Sequence, residues 1–285
     1  MFCGQIERQS GNGHLLKTLF GRAKTAEKPC VGILTSGGDC PGLNAVIRAA
    51  VLASERLGYS CIGFLRGYEG LVDPVEYMPL TPANTNGILT TGGTILGSTN
   101  RGQFSATVGE NNRLSIDRGL LGRVARTVHQ LGLSGLICIG GDGSLAIADQ
   151  FHQFGIPVVG VPKTIDNDLG ATAFTFGFDS AVSAATDALD RLRTTAASHE
   201  RIMVLEVMGR HAGWIALHSG LAGGADVILI PEISWDFDAI CQKIMNRESV
   251  GRRHTLIVVA EGATLPTGDL VCMASTEANE QVKLG

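Results

Sequence analysis

From Cys30 onward, short apolar runs alternate with stretches in which hydrophobic residues recur at helical spacing, as in residues 43–50, 121–131 and about 179–198. The apolar runs carry almost no polar side chains, which predicts strands that are buried on both faces of a parallel sheet. Repetition of strand and helix predicts an α/β fold that is doubly wound, with mostly parallel sheets and helices on both faces. The predicted strands are CVGILT, SCIGF, GLICI, PVVGV, IMVLEV, DVILI and TLIVV.

Composition narrows the functional classes. The 285 residues carry a formal net charge of −4, which gives no electrostatic reason to expect a nucleic-acid partner. No run approaches the ~20 apolar residues that a membrane-spanning helix needs, so no membrane partner is expected. The seven cysteines are scattered without a Cys-x-x-Cys pair, which predicts reduced thiols in a cytoplasmic protein. Residues 1–27 are basic and weakly amphipathic, which predicts a mobile N-terminal extension.

Three of the predicted strands end in turns that are rich in Gly or Asp: SGGD after 30–35, GGDGS after 136–139 and KTIDND after 158–161. Glycines allow a phosphate to approach the backbone, and a following helix N-terminus offers unpaired N–H donors. Each turn alone has a simpler explanation, namely a tight turn, a helix N-cap by Asp142 or Ser144, or a solvated surface turn. Because ligands bind beyond the carboxyl ends of such strands, the three turns together predict one site for phosphates, a cation and carboxylates.

The chain resembles the 6-phosphofructokinases from about Lys28 to its end, because TSGGD, GGDGS, PKTIDND, SHERI, EVMGRHAGW and AEG occur in the family's order. The resemblance implies two similar lobes, with 28–177 binding the donor ATP and 178–285 binding the sugar phosphate. It implies transfer of the terminal phosphoryl group of ATP to fructose 6-phosphate, with Mg²⁺, in cytoplasmic glycolysis. Family members continue through a C-terminal return segment that completes the sugar-phosphate pocket. We therefore expect a C-terminally incomplete chain that holds fructose 6-phosphate poorly.

The resemblance also implies roles for individual residues. Asp166 corresponds to the general base that takes the proton of the attacking sugar hydroxyl, with Thr164 and Arg210 completing the catalytic set. Asp142 would hold Mg²⁺, with Asp168 near the cation. The expected donor-binding residues are Gly38, Asn100, Arg101, Gly141, Asp142, Gly143 and Ser144. The expected sugar-phosphate-binding residues are Thr164, Ile165, Asp166, Arg201, Met208, Gly209, Arg210 and Glu261, with Arg201 reaching into the neighbouring subunit of a homodimer or homotetramer.

Two residues bear on the identity of the donor. Gly143 leaves room for the α-phosphate of a nucleotide, where diphosphate-using members of the family usually carry Asp. Lys163, in contrast, is the residue that diphosphate-dependent members carry. The combination of Gly143 with Lys163 resembles the family's mixed-substrate branch, whose members generally use ATP. A steric block is also harder to override than an extra lysine, so the sequence favours ATP, with diphosphate as the alternative.

The sequence also bears on allosteric regulation and on two alternative functions. Arg48 matches one effector-site arginine of allosteric members, whereas Leu52 replaces a second and Asp226 replaces a cation-binding Glu, so activation by a nucleoside diphosphate is not expected. A diacylglycerol-kinase-like or NAD-kinase-like protein would share the GGDG turn but not PKTIDND or MGRHAG. A non-catalytic nucleotide-binding subunit is the remaining alternative.

Overall fold

A computed structural model describes residues 28–99, 102–104, 107–108, 114–170, 172–264, 272–273 and 283–284. The predicted extension, residues 1–27, lies outside the described residues. The helices are α1 (Leu43–Arg56), α2 (Arg118–Gln130), α3 (Asp142–Gln153), α4 (Phe178–His199), α5 (Trp214–Ala222) and α6 (Phe237–Ser249). The strands are β1 (Cys30–Thr35), β2 (Ser60–Phe64), β3 (Tyr77–Leu80), β4 (Thr107–Val108), β5 (Leu114–Ser115), β6 (Leu133–Gly140), β7 (Val158–Thr164), β8 (Phe176–Gly177), β9 (Ile202–Val207), β10 (Val227–Leu229), β11 (Thr255–Ala260), β12 (Cys272–Met273) and β13 (Lys283–Leu284).

The first sheet has six strands in the order β3-β2-β1-β6-β7-β8, and only β3 runs antiparallel to its neighbour. Successive residues of a strand point to opposite faces, so Ile33 and Leu34 enter different cores. Ile33 packs with the apolar stripe of α1, and Leu34 packs with α2 and α3. Helices therefore cover both faces, which confirms the doubly wound arrangement predicted from the apolar runs.

The second sheet has three parallel strands in the order β10-β11-β9. Its core joins Val207 and Val258 of the sheet to Leu189 of α4 and Ile215 of α5. The two sheets thus share the parallel α/β plan but differ in size among the described residues. No helix in this part of the chain is long and apolar enough to span a membrane.

Burial on both faces, predicted for every apolar run, holds for β11 but is wrong for β9 and for β7, in which Val159 is 63 % exposed. Ile202 and Val204 of β9 are 49 % and 59 % exposed, while Val207 is buried. The reason in β9 is that α4 and α5 pack on the core side of the second sheet, and no described residue covers the side chains of Ile202 and Val204. Strand β7 also extends to Thr164, beyond the predicted end at residue 161, so Lys163 and Thr164 belong to the sheet.

Candidate active site

The polar turns predicted to converge lie together because β1, β6 and β7 are parallel neighbours in the first sheet. The Lys163 ammonium group, at the end of β7, donates a hydrogen bond of 2.6 Å to the Gly38 carbonyl after β1. A β-carbon built on Gly37 would lie 3.2 Å from Ser144 Oγ, which follows β6. The three strand ends therefore form one continuous surface, as the sequence predicted.

A cleft of about 400 Å³ opens above the turn that follows β1. One wall is the predicted turn, and the other comes from loop residues 93–99, which directly precede the expected donor contacts Asn100 and Arg101 but were not themselves predicted. Thr35 Oγ1 ties that loop to β1 through Thr94 Oγ1 at 2.9 Å and the Gly97 carbonyl at 3.0 Å. The lining residues are Gly37, Gly38, Asp39, Gly93, Thr94, Ser98 and Thr99. The expected donor contacts Asn100 and Arg101 lie outside the described residues.

Helix α3 begins at the GGDGS turn, and its N-cap residue is Gly141, without a side-chain capping bond. The alternative explanation, a cap by Asp142 or Ser144, is therefore wrong. Asp142 and Gly143 are exposed in the first turn, and Ser144 is buried, with its carbonyl accepting 2.6 Å from the Tyr68 hydroxyl. The N–H groups at a helix start favour anions, so this end of α3 can bind phosphate oxygens.

The carboxylate of Asp142 suits Mg²⁺, which binds one or two carboxylates together with substrate phosphates and waters. No group of three or more His, Cys, Asp or Glu residues among the described residues is arranged so that it could hold a metal ion. Such a cluster would suit an all-protein metal cage, whereas a lone carboxylate beside a phosphate-binding helix start suits a cation that arrives with its nucleotide. The donor set therefore fits Mg²⁺.

Asp166 lies directly after β7 and is only 9 % exposed. Its backbone N–H donates to Thr164 Oγ1 at 3.1 Å, and its Oδ2 atom lies 3.9 Å from Arg210 Nε. Burial raises the pKa of Asp166, and the negative charge of Asp168 raises it further. Arg210 and a hydrogen bond with Thr164 act in the opposite direction, and Glu261 adds to the rise. The site thus holds a shielded carboxylate with a raised proton affinity, which suits a general base.

Lys163 supplies positive charge from strand β7 of the first sheet. The residue is 4 % exposed, and burial lowers its pKa while the charges of Asp39 and Asp166 oppose that shift. Cys40 lies beside it, and burial raises the pKa of that thiol to about 11. A thiol with so high a pKa stays protonated at neutral pH, so Cys40 is a packing residue and not a nucleophile.

The second sheet contributes its side of the site from the carboxyl ends of β9 and β11, which are parallel neighbours. Met208, Gly209 and Arg210 follow β9, and Glu261 follows β11. Glu261 Oε1 accepts hydrogen bonds from the N–H groups of Gly209 at 3.1 Å and Arg210 at 2.8 Å. A β-carbon on Gly262 would lie 1.9 Å from the Arg210 carbonyl, so only glycine fits there. The close approach of the two turns brings Arg210 to Asp166.

Most of the expected sugar-phosphate residues meet at this junction, but Arg201 does not. Met208 is 60 % exposed beside Arg210, and Ile165 Cγ2 packs against the turn at Gly177. Arg201 lies just before β9 and Arg210 lies after it. The six residues of that strand, at ~3.3 Å per residue, place the two arginines about 20 Å apart. An exposed arginine at that distance does not belong to the cluster around Asp166 within one chain.

Comparison with known proteins gives a consistent picture. Residues 30–283 match the family described as phosphofructokinase. An ATP-dependent 6-phosphofructokinase of Chloroflexus aurantiacus is 54 % identical over 238 residues, which are 84 % of this chain and 66 % of the relative. A pyrophosphate–fructose 6-phosphate 1-phosphotransferase of Streptomyces coelicolor is 50 % identical over 243 residues, 85 % of this chain and 66 % of the relative.

The solved phosphofructokinase of Saccharomyces cerevisiae superposes with a TM-score of 0.76 at 32 % identity, covering 85 % of this chain and 35 % of that one. That of Pichia pastoris gives 0.75 at 33 % identity, covering 85 % and 27 %. The chain spans just under two thirds, 66 %, of the length of the curated relatives described above. On the family match over most of its length, together with these relatives, the chain belongs to the phosphofructokinase family.

Proposed function

We propose that this chain transfers the terminal phosphoryl group of ATP to the primary hydroxyl of fructose 6-phosphate, giving fructose 1,6-bisphosphate in cytoplasmic glycolysis. The observation that carries the proposal is the buried carboxylate of Asp166 with Arg210 Nε at 3.9 Å. An alcohol is a poor nucleophile until its proton has an acceptor, and a transferring phosphoryl group needs positive charge around its oxygens. This pair supplies both at the junction of the two lobes.

Asp166 accepts the hydroxyl proton as the new P–O bond forms. Its burial raises its pKa, which brings its basicity closer to working pH, while Arg210 keeps the carboxylate charged. Thr164, whose hydroxyl lies beside Asp166, orients the acceptor or the transferring group. Arg210 clamps a phosphate, because its side chain is 56 % exposed and a guanidinium group binds phosphate oxygens through charge-assisted hydrogen bonds.

Donor choice follows from Gly143. Among the described residues, no atom outside the adjacent residues and the nearby helix backbone lies within 4 Å of a β-carbon built there, so packing against this part of the chain does not require glycine at this position. The open space at the start of α3 suits the α-phosphate of a nucleotide, which favours ATP. Gly38, Gly141 and Ser144 would complete the phosphate cradle, and Asp142 would hold Mg²⁺. When bound, Mg²⁺ neutralises the charge that develops on the phosphate oxygens.

Diphosphate is the second candidate donor, because of Lys163. Its ammonium group, buried at the phosphate turn and bonded to the Gly38 carbonyl, can neutralise the free end of a diphosphate. The 50 % identity to a pyrophosphate-using relative supports this alternative. The identity to the Chloroflexus aurantiacus relative, whose name is ATP-dependent 6-phosphofructokinase, supports ATP.

Arg201 acts on the sugar phosphate of a neighbouring subunit in a homodimer or homotetramer. Its exposed position at the amino end of β9, about 20 Å from Arg210, supports a contact made in trans. Met208, Gly209, Ile165 and Glu261 contribute to the pocket within the chain.

A steady-state assay tests the function and the donor together. The purified protein is given fructose 6-phosphate, Mg²⁺ and either ATP or diphosphate, and fructose 1,6-bisphosphate is measured through aldolase. We expect turnover with ATP and at least tenfold less with diphosphate. Greater turnover with diphosphate would reverse the donor assignment, and ATP binding without turnover would support the non-catalytic subunit instead.

A further inference from the structure

The side chains of Asn167 and Thr175, to which no role has been assigned above, form hydrogen bonds with the backbone near Asp166. Thr175, 6 % exposed, donates from Oγ1 to the Thr164 carbonyl at 2.7 Å. The backbone N–H of Thr175 donates to Asn167 Oδ1 at 3.0 Å, and Asn167 Nδ2 donates to the Ala173 carbonyl at 3.3 Å. One residue, Thr175, therefore contacts the chain two positions before Asp166 and one position after it.

The backbone around Asp166 depends on these contacts. Asn167 has φ of +54°, a left-handed conformation that Asn adopts more readily than most residues because its short side chain bonds locally. The chain bends at Ile165 and Asp166, and Thr164 Oγ1 accepts from the Asp166 N–H at 3.1 Å. The amide of Asn167 and the hydroxyl of Thr175 both bond groups of this same loop, so their bonds shape the loop and do not serve a ligand.

We propose that Asn167 and Thr175 are positioning residues, which hold the Asp166 carboxylate facing Arg210 and the attacking hydroxyl. The inference rests on the proposed function, in which Asp166 is the base. Misplacing a catalytic group by about 1 Å can cost roughly a hundredfold in rate without weakening substrate binding. The loss of either residue is thus expected in kcat and not in KM.

Three variants separate positioning from packing. Thr175→Val keeps the shape and removes the hydroxyl, Thr175→Ser keeps the hydroxyl, and Asn167→Gly keeps the left-handed backbone and removes the amide. Thr175→Val and Asn167→Gly should lower kcat roughly tenfold to a hundredfold, with KM for fructose 6-phosphate and ATP within about threefold of native. Thr175→Ser should stay within about threefold in kcat. Native kcat in the first two variants, or equal losses in Thr175→Val and Thr175→Ser, would overturn the proposal.

A second readout does not depend on turnover. The Asp166 carboxyl carbon is titrated by ¹³C NMR in aspartate-labelled protein and assigned by its absence from Asp166→Asn. Opening the loop would hydrate the carboxylate, so the pKa of Asp166 should fall toward its ordinary value in Thr175→Val and Asn167→Gly but not in Thr175→Ser. An unchanged titration in all three variants would also overturn the proposal. A native protein that transfers phosphate from neither donor contradicts the proposed function instead, and the titration then decides on positioning by itself.

Discussion

Replacing Glu261 by alanine removes the acceptor that holds the Arg210 turn in place. Glu261 Oε1 accepts from the N–H groups of Gly209 at 3.1 Å and Arg210 at 2.8 Å. Gly209 has φ of +147° and Arg210 has φ of +52°, so the turn adopts a backbone conformation that needs support from its surroundings. Without Glu261 the turn relaxes and the guanidinium group moves away from Asp166.

The magnitude follows from the burial of the two donors. Hydrogen bonds to charged groups contribute about 1.5–3 kcal/mol each when the donor is shielded from water. Gly209 is buried, so the hydrogen bond from its N–H contributes this full free energy. Arg210 is exposed, so water can replace the hydrogen bond from its N–H at little cost. The loss is therefore about 1.5–3 kcal/mol, or roughly ten- to a hundredfold in KM for fructose 6-phosphate. Glu261→Gln keeps an acceptor oxygen with a neutral bond of about 0.5–1.5 kcal/mol, so roughly half the loss should be recovered.

The assay is the KM for fructose 6-phosphate at saturating ATP for native, Glu261→Ala and Glu261→Gln proteins. Glu232→Ala is the matched control, because Glu232 Oε1 accepts from the Gly213 N–H at 2.8 Å, three residues beyond Arg210. We expect the largest rise for Glu261→Ala, an intermediate one for Glu261→Gln and the smallest for Glu232→Ala. Equal effects of the two Glu261 variants, or of alanine at either glutamate, would refute the reasoning.

Three further predictions concern stability and donor choice. Asp166→Asn should raise Tm at pH 7, because burial raises the pKa of the Asp166 carboxyl in the folded protein and its ionisation therefore disfavours folding. The difference in Tm between the variant and the native protein should vanish as the pH falls below the ordinary pKa of an aspartate carboxyl, where both states are protonated. Gly143→Asp should lower turnover with ATP at least tenfold by crowding the α-phosphate, and should leave turnover with diphosphate unchanged. Gly122→Asp, a control at an equally open position in α2, should change neither rate. Turnover of Gly143→Asp with ATP equal to that of native protein would show that Gly143 does not select the donor. Arg247→Met should lower the free energy of unfolding in urea by about 3 kcal/mol, because it leaves the largely buried carboxylate of Asp226 without the guanidinium group that lies 2.7 Å away. An unchanged urea midpoint would show that this ion pair does not stabilise the fold.

Much of the first sheet could be predicted because each of its strands is marked by a short stretch of neighbouring residues. The runs at Cys30–Thr35 and Ser60–Phe64 are apolar strands bounded by turn residues, and they form β1 and β2 as predicted. The turn that carries Asp166 was predicted to meet the other two because neighbouring parallel strands end at one edge of a sheet. Exposure of Ile202 and Val204 could not be predicted, since periodicity describes a strand and not what packs on it.

Contacts between segments that are far apart in the sequence could not be predicted from the pattern of apolar and polar residues. Thr94 and Ser98 line the cleft beside the turn after β1 from a loop that follows no parallel strand, so no strand-end rule points to them. Glu261 was expected to bind the sugar phosphate, whereas the hydrogen bond that it accepts from the Arg210 N–H joins residues 51 positions apart, which no local pattern predicts. The loop role of Thr175 likewise follows only from its hydrogen bonds in the folded chain.

The most direct test of Asp166 as the base in ATP-dependent transfer is ³¹P NMR of native protein and Asp166→Asn with fructose 6-phosphate and MgATP. Native protein should form a second sugar phosphoester and ADP at equal rates. Asp166→Asn should form both about 10²–10⁴-fold more slowly, while isothermal titration shows unchanged ATP affinity. No new sugar ester with native protein, or a rate in Asp166→Asn within a few-fold of native, would contradict the assignment.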